Sequence, residues 1–113
     1  MNDAHTLPFQ RTATYRVAKA LAAAVHRLPI ADAELRDQAS RASKSAFLQV
    51  AEGLPNFGVA MRRKYFVCAR NSACEVAAAY DLAAELGMVG GAAAEQVHAL
   101  AAELLRLLGG LLR

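Results

Sequence analysis

The segment Glu95-Gln96-Val97-His98 puts a carboxylate and an imidazole three residues apart. On a helix that spacing places both on one face, as in the ferritin-like bundles that hold two metal ions. Such a centre needs two of these motifs and a Glu from each of two further helices. Only one motif is present, and Glu95 is equally explained as an acid in the first turn of a helix, where the dipole favours it. No metal site and no cofactor are therefore expected. Neither His5 nor His26 stands in a spaced pattern with a nucleophile and a carboxylate, so nothing in the sequence supports a general-base role for them. Cys68 and Cys74 lie six residues apart, about 9 Å along a helix axis and pointing in different directions, too far to bridge. They read as reduced, buried small side chains of a cytosolic protein. The expectation is that this chain is not an enzyme.

Chemistry of any other kind has to be positioned by the elements the sequence encodes. The chain has 113 residues and is 56% hydrophobic, much of it alanine, with few β-branched residues. That bias suits one helical domain over residues 1–113. Apolar residues recur at three-to-four spacing in four stretches, which predicts helices over about 9–28, 33–52, 58–86 and 92–112. Pro29 stops the first, and Asp32 is placed to cap the second. Gly53, as a left-handed terminal residue, and Pro55 end the second; Gly87 ends the third, and Gly90-Gly91 completes a flexible connection. Connections this short make sequence neighbours antiparallel, so the fold class is all-α: an antiparallel up-down-up-down four-helix bundle. The expected core includes Leu21, Val25, Leu35, Ala42, Ala46, Tyr65, Val76, Ala79, Leu86, Leu100 and Leu104.

There is more apolar surface than one bundle needs. A second small stripe on the first helix, Ala13, Val17, Ala20 and Ala24, and the extra Leu105 and Leu112 on the fourth predict self-association. No uncharged apolar run approaches the roughly 20 residues of a membrane span. Residues 1–6 lack the basic and apolar regions of a signal peptide. A cytoplasmic protein with no membrane partner is expected.

Folding these helices up and down sorts the charges by height. One end gathers Arg11, Arg16, Lys19, Lys44, Arg62, Arg63, Lys64, Arg106 and Arg113 against the acids Asp3 and Glu52. The other gathers Asp32, Glu34, Asp37, Asp81, Glu85 and Glu95 against Arg27 and Arg36. The net charge of +3 thus conceals a polarised molecule. Helix dipoles favour bases at the ends of the second and fourth helices. They oppose Arg62, Arg63 and Lys64 at the start of the third and Arg11 at the start of the first. One explanation is a polyanion such as RNA or DNA, with Arg11, Arg16, Lys19, Lys44, Arg62, Arg63 and Lys64 as the contacts; the other is solubility. No aromatic-rich base-stacking platform is evident, so the contacts would be with phosphates and depend little on base sequence. Elsewhere, Glu52 sits in the last turn of the second helix, where the dipole disfavours it. Glu75 and Arg41 flank facing stripes of the second and third helices, and a partly buried network holding Arg41, Glu52 and Glu75 is expected.

Leu35-Arg36-Asp37-Gln38-Ala39-Ser40-Arg41-Ala42-Ser43, Gln49-Val50-Ala51-Glu52-Gly53 and Cys68-Ala69-Arg70-Asn71-Ser72-Ala73-Cys74-Glu75 together carry a likeness. The chain resembles the four-helix-bundle proteins encoded in intervening sequences of bacterial large-subunit ribosomal RNA genes. Gln38, Arg41, Ala42, Ala51, Glu52, Gly53, Ala69, Ser72 and Glu75 match that family's pattern. Gln49, Asn71 and Gly58 replace its usual Asn, Gly and capping Ser or Thr. The resemblance implies a cytosolic homo-oligomer, a ring-shaped homopentamer, with no enzymatic activity and a structural role for the matched charges. A distant relative is the accessory protein of diversity-generating retroelements, a bundle that binds nucleic acid and a reverse transcriptase. The alternative reading is a protein-interaction scaffold that recruits an unidentified protein through apolar or acidic surface.

Overall fold

The computed structural model describes residues 3–113. Four helices build it: α1 Ala13–Arg27, α2 Ala33–Gly53, α3 Val59–Glu85 and α4 Gly91–Leu112. The described residues contain no strand. Three of the helices begin and end within one residue of the boundaries expected from sequence. The first does not. A separate 3-10 turn, Pro8–Arg11, precedes α1, and Thr12 divides the two. Its backbone is extended, and its hydroxyl accepts the Tyr15 N–H at 3.2 Å while donating to the Phe9 carbonyl at 2.9 Å. This side chain satisfies one of the orphan N–H groups of the helix start, which fixes the boundary.

Asp32 caps α2 as its type suggests, accepting the Leu35 N–H at 2.9 Å. At the end of α3, Gly87 adopts φ +70°. Its N–H reaches the Ala84 carbonyl at 3.1 Å, and the Met88 N–H reaches Ala83 at 2.8 Å. That double bond is a Schellman termination, which needs the left-handed residue that glycine supplies without strain. Gly53 departs from expectation. It is helical, and among the described residues Gly87 alone has a positive φ. Gly53 is required by packing instead. A Cβ there would stand 2.8 Å from Cε1 of Phe66 and 3.0 Å from Cβ of Tyr65, so its absence lets α2 approach α3.

The helices form a ring in chain order: α1 packs on α2 and α4, and α3 packs on the same two. Contacts along each seam fix the directions. Gly53 meets Phe66 while Ser45 meets Ser72, so α2 and α3 run oppositely. The Arg63 guanidinium reaches the Leu112 carbonyl at 2.8 Å, while Asp81 shares a cleft with His98, which reverses α4 on α3. The Tyr15–Phe47 ring contact at 5.1 Å, with Val25 and Asp37 lining one cleft, does the same for α1 and α2.

Ala18, Leu21, Ala46, Val50, Ala69, Ala73, Val76, Ala83, Val97, Ala101, Leu104 and Leu108 are fully buried between the helices. Of the expected core, Leu35, Tyr65 and Leu100 are half-buried, and Leu86 is 56% exposed. The inward stripe of α3 runs through Phe66 and Tyr80 rather than Tyr65 and Leu86. Ala69, Val76, Ala79 and Ala83 are buried as the sequence suggests, and the buried face of α3, packed on neighbours at both flanks, widens to take in Phe66, Ala73 and Tyr80. Ile30, in the α1–α2 turn, is also buried. Tyr80 can be buried because its hydroxyl donates to the Leu28 carbonyl at 2.7 Å and approaches that of Val25 at 3.4 Å. It thereby satisfies the C-terminus of α1. Burial raises its phenol above the ordinary tyrosine value.

The surplus apolar stripes have a partly internal explanation. Ala24 is buried in the core, and Val17, Leu105 and Leu112 pack against it. Apolar residues left open include Leu48 on α2, Leu82 on α3 with Leu86 just after it, Leu111 on α4, and Phe57, Val59 and Met61 around the start of α3.

Candidate nucleic-acid interface

The basic cluster at the start of α3 divides by role. Arg62 is half-buried: its Nη1 donates to the Leu54 carbonyl, and its guanidinium lies 5.1 Å over the Phe66 ring. Arg63 is exposed and donates to the Leu112 carbonyl. The dipole of α3 opposes both cations, yet each serves the carbonyl end of a different helix. Because the bundle alternates direction, the start of α3 stands beside the ends of α2 and α4, and the partial negative charge of those ends favours the two arginines. The ends of α2 and α4 thus account for both arginines without a polyanion. Arg62 belongs to the fold, because it satisfies the end of α2.

Arg11 lies at the end of the 3-10 turn, before the Thr12 cap, so it is not in the first turn of α1. It is exposed and donates to the Thr6 carbonyl at 3.3 Å. Arg16, Lys19, Lys44 and Lys64 are all exposed. Lys19 stands 6.0 Å over the Tyr15 ring, and none of these four is in an ion pair among the described residues. Arg106 reaches Glu103 at 3.8 Å on the surface, a contact of little energetic weight. Arg113 donates to the Gly109 carbonyl at 3.4 Å. Asp3, one of the acids assigned to this end, has a side chain outside the described residues; Glu52 is exposed.

At the opposite end Arg36 donates to the carbonyls of Ile30 and Ala31, both at 3.2 Å, and Asp32 is committed to its cap. Glu34, Asp37, Asp81, Glu85 and Glu95 are exposed.

The network expected of Arg41, Glu52 and Glu75 does not form within the chain. All three are exposed, and none is in an ion pair among the described residues. They lie outside the α2–α3 seam, which the Ser45 and Ser72 hydroxyls close instead at 3.2 Å. Glu95 and His98 border a shallow cleft with Asp81. Among the described residues no three or more His, Cys, Asp or Glu side chains are grouped as metal ligands. Cys68 is half-buried and Cys74 exposed, both as free thiols, so Cys74 is not the buried residue expected.

The helix boundaries expected from sequence leave Pro55, Asn56 and Phe57 only as a break between helices. The structure makes this break one wall of a groove. Pro8 and Phe9 of the 3-10 turn face Leu54, Pro55 and Phe57 across it, with Arg62 at its side. The groove holds about 500 Å³, within the roughly 300–1,000 Å³ common for ligand clefts. Phe57 is 101% exposed, so neither face of its ring is covered. A hydrophobic staple would lay this residue on the fourth position of α3, but Arg62 stands there and turns to Leu54. The aromatic was visible in sequence; its exposure beside cations was not.

None of the helices among the described residues is long and apolar enough to cross a membrane. A search of curated proteins gives no match to this chain. A family model does match, that of the 23S rRNA-intervening sequence protein, over residues 10–110. With four helices arranged as above and nearly the whole chain matched, this protein belongs to the 23S rRNA-intervening sequence protein family.

Proposed function

We propose that this protein is a non-enzymatic, cytoplasmic, self-associating helical bundle that binds the phosphates of RNA or DNA through its basic end. The observation that carries the reading is the group Arg16, Lys19, Lys44 and Lys64. These cations are exposed, lie on the half of the bundle that begins α1 and α3, and have no acidic partner among the described residues. Fold requirements explain Arg62 and Arg63 but not these four. Charge placed this way attracts polyanions and steers their approach. Arg11 and the outward charge of Arg63 add to the same field.

Self-association rests on the open apolar residues Leu48, Leu82 and Leu86 beside the unpaired Arg41, Glu52 and Glu75 on α2 and α3. An interface there could pair those charges between chains. The homopentamer is carried over from the family resemblance. Symmetry would repeat the basic end on one face of a closed ring, and several weak phosphate contacts would then act together.

The test is an anisotropy titration of a labelled RNA at several salt concentrations. The variant Arg16→Ala/Lys44→Ala/Lys64→Ala leaves the structural arginines in place. Each lost phosphate contact should make the log–log salt slope shallower by roughly 0.7 to 0.9. Equal binding by wild type and variant, or no binding at low salt, would remove the reading. The bundle would then stand as a scaffold for a protein partner.

A further inference from the structure

The groove at the basic end joins three features that seldom coincide on a small bundle. Its walls are apolar: Pro8 and Phe9 on one side, Leu54, Pro55 and Phe57 on the other. Phe57 is wholly uncovered. Arg62 is the cation among the groove's lining residues, and the exposed Arg11, at the end of the 3-10 turn, and Arg16, in the first turn of α1, follow the Pro8–Phe9 wall in the chain. Apolar walls alone would suit a greasy side chain of another protein. These cations favour an occupant that is flat, apolar on its faces and tied to negative charge. A nucleobase on its phosphate backbone has that chemistry, because every base offers a π face while the chain beside it is anionic.

Asn56 supports the same occupant. Its Oδ1 accepts the Gly58 N–H at 2.9 Å, which fixes the side chain against the turn. The amide NH2 has two N–H donors and no acceptor role. Asn56 lines the groove, so these donors are available to a base edge or a phosphate oxygen. In a duplex the bases are stacked on one another and their faces are covered. Only an unpaired nucleotide could place its base on Phe57.

We infer that the groove between the 3-10 turn and the α2–α3 connection takes an unpaired nucleobase, with the Phe57 ring as the stacking face. The inference rests on the phosphate-binding reading and adds a preference: the basic end favours single strands, or unpaired positions in a folded RNA, over continuous duplex.

The experiment compares three labelled probes of equal phosphate number at low salt: a single-stranded oligothymidylate, an abasic single strand of the same length, and a DNA duplex of half that length. The wild-type chain should bind the oligothymidylate about tenfold more tightly than the abasic strand, the order expected for one base–aromatic stack. Phe57→Ala should remove that difference and leave abasic binding unchanged. The protein contains no tryptophan, so Phe57→Trp adds a single reporter. Its fluorescence should be quenched by the oligothymidylate and not by the abasic strand. Because the Phe57 ring touches nothing that holds the fold, both variants should keep the helical content of the wild type.

If Phe57→Ala binds all three probes as the wild type does, the base site is wrong while the phosphate reading stands. Failure of every probe to bind at low salt removes both. Light scattering on the same variants supplies the remaining arm. Should Phe57→Ala dissociate the oligomer without altering the preference among probes, the groove is an interface between copies and the inference is overturned.

Discussion

The two ends of the bundle terminate their helices by different means. Where α1 and α3 finish, the chain closes on the buried Tyr80 and Ile30, with the exposed Arg36 donating to the Ile30 and Ala31 carbonyls. The Tyr80 hydroxyl takes the last carbonyls of α1, Ile30 is buried at the turn, and the Ala31 N–H meets the Met88 carbonyl at 2.7 Å. Where α2 and α4 finish, the same need is met by arginines from α3, one half-buried and one exposed. The first solution uses mainly side chains that the core already holds. The second stations charge at the surface and leaves an apolar groove beside it. Both satisfy the orphan carbonyls that every helix leaves. The second sets cations beside an apolar groove, and the proposed nucleic-acid contact rests on that end.

That contrast would break if the open end were loosely packed, and Gly53 tests it. In an exposed helix interior Gly→Ala stabilises by roughly 1 kcal/mol. Here the added Cβ would stand 2.8 Å from the buried Phe66 ring, with the Tyr65 Cβ at 3.0 Å. A clash with a side chain that cannot turn away outweighs the helix preference. Gly53→Ala should therefore destabilise by about 1–3 kcal/mol, the usual range for overpacking. Denaturant titration of both proteins measures it. A stable Gly53→Ala protein would mean that α2 and α3 separate easily, and the open end would be soft rather than firm with an exposed rim.

At the sealed end, Tyr80→Phe keeps the ring and removes the donor to Leu28. Near neutral pH the loss should be about 0.5–1.5 kcal/mol, the net worth of one hydrogen bond. The pH dependence sharpens the test. Burial raises the folded phenol above its ordinary value near 10, so the unfolded chain releases this proton first. Between the unfolded and folded values the native state holds more protons, and stability falls as pH rises. The contribution is fully present below about pH 10 and is lost as pH climbs through the folded value. Thermal melts from pH 8 to pH 11.5 should show a steeper alkaline decline for wild type than for Tyr80→Phe. Parallel curves would mean that the hydroxyl is hydrated and this end is no better sealed than the other.

Much of the frame is legible in sequence because it depends on local signals. Asp32 before Leu35, Gly87 after α3 and Pro55 after α2 act within a few residues of themselves. The start of α1 was also encoded, by Thr12 three residues before Tyr15, but the preceding Pro8–Arg11 turn carries helical residue types that obscured it. What escaped is tertiary. Alanine lies on several sides of α3, so its periodicity does not choose between a face centred on Tyr65 and one centred on Phe66. The purposes of Arg62 and Arg63 depend on carbonyls 8 and 49 residues distant in sequence. Gly53 looked like a terminator because glycine so often is one; its real constraint is a ring on another helix. The groove, too, joins residues 8 and 9 to residues 54–57, which no local window contains.

The smallest expected effect comes from the same substitution at the same end as Gly53. Gly110 is helical, exposed, and has nothing within 4 Å of where a Cβ would stand. Without a clash, only the backbone preference remains, and alanine restricts the unfolded chain while suiting the helix. Gly110 lies in the last turn of α4, where fraying dilutes that gain, so Gly110→Ala should stabilise by a few tenths up to about 1 kcal/mol. Two Gly→Ala changes near one end of one bundle should thus have opposite signs. The decisive comparison is the Gly110→Ala melt at two protein concentrations, one favouring the single chain and one favouring the assembled form. Stabilisation at both leaves the end of α4 free of any neighbour. Stabilisation when dilute, turning to destabilisation when concentrated, would show a second copy packed against Gly110, and the proposed subunit contact would move from the α2–α3 face to the basic end.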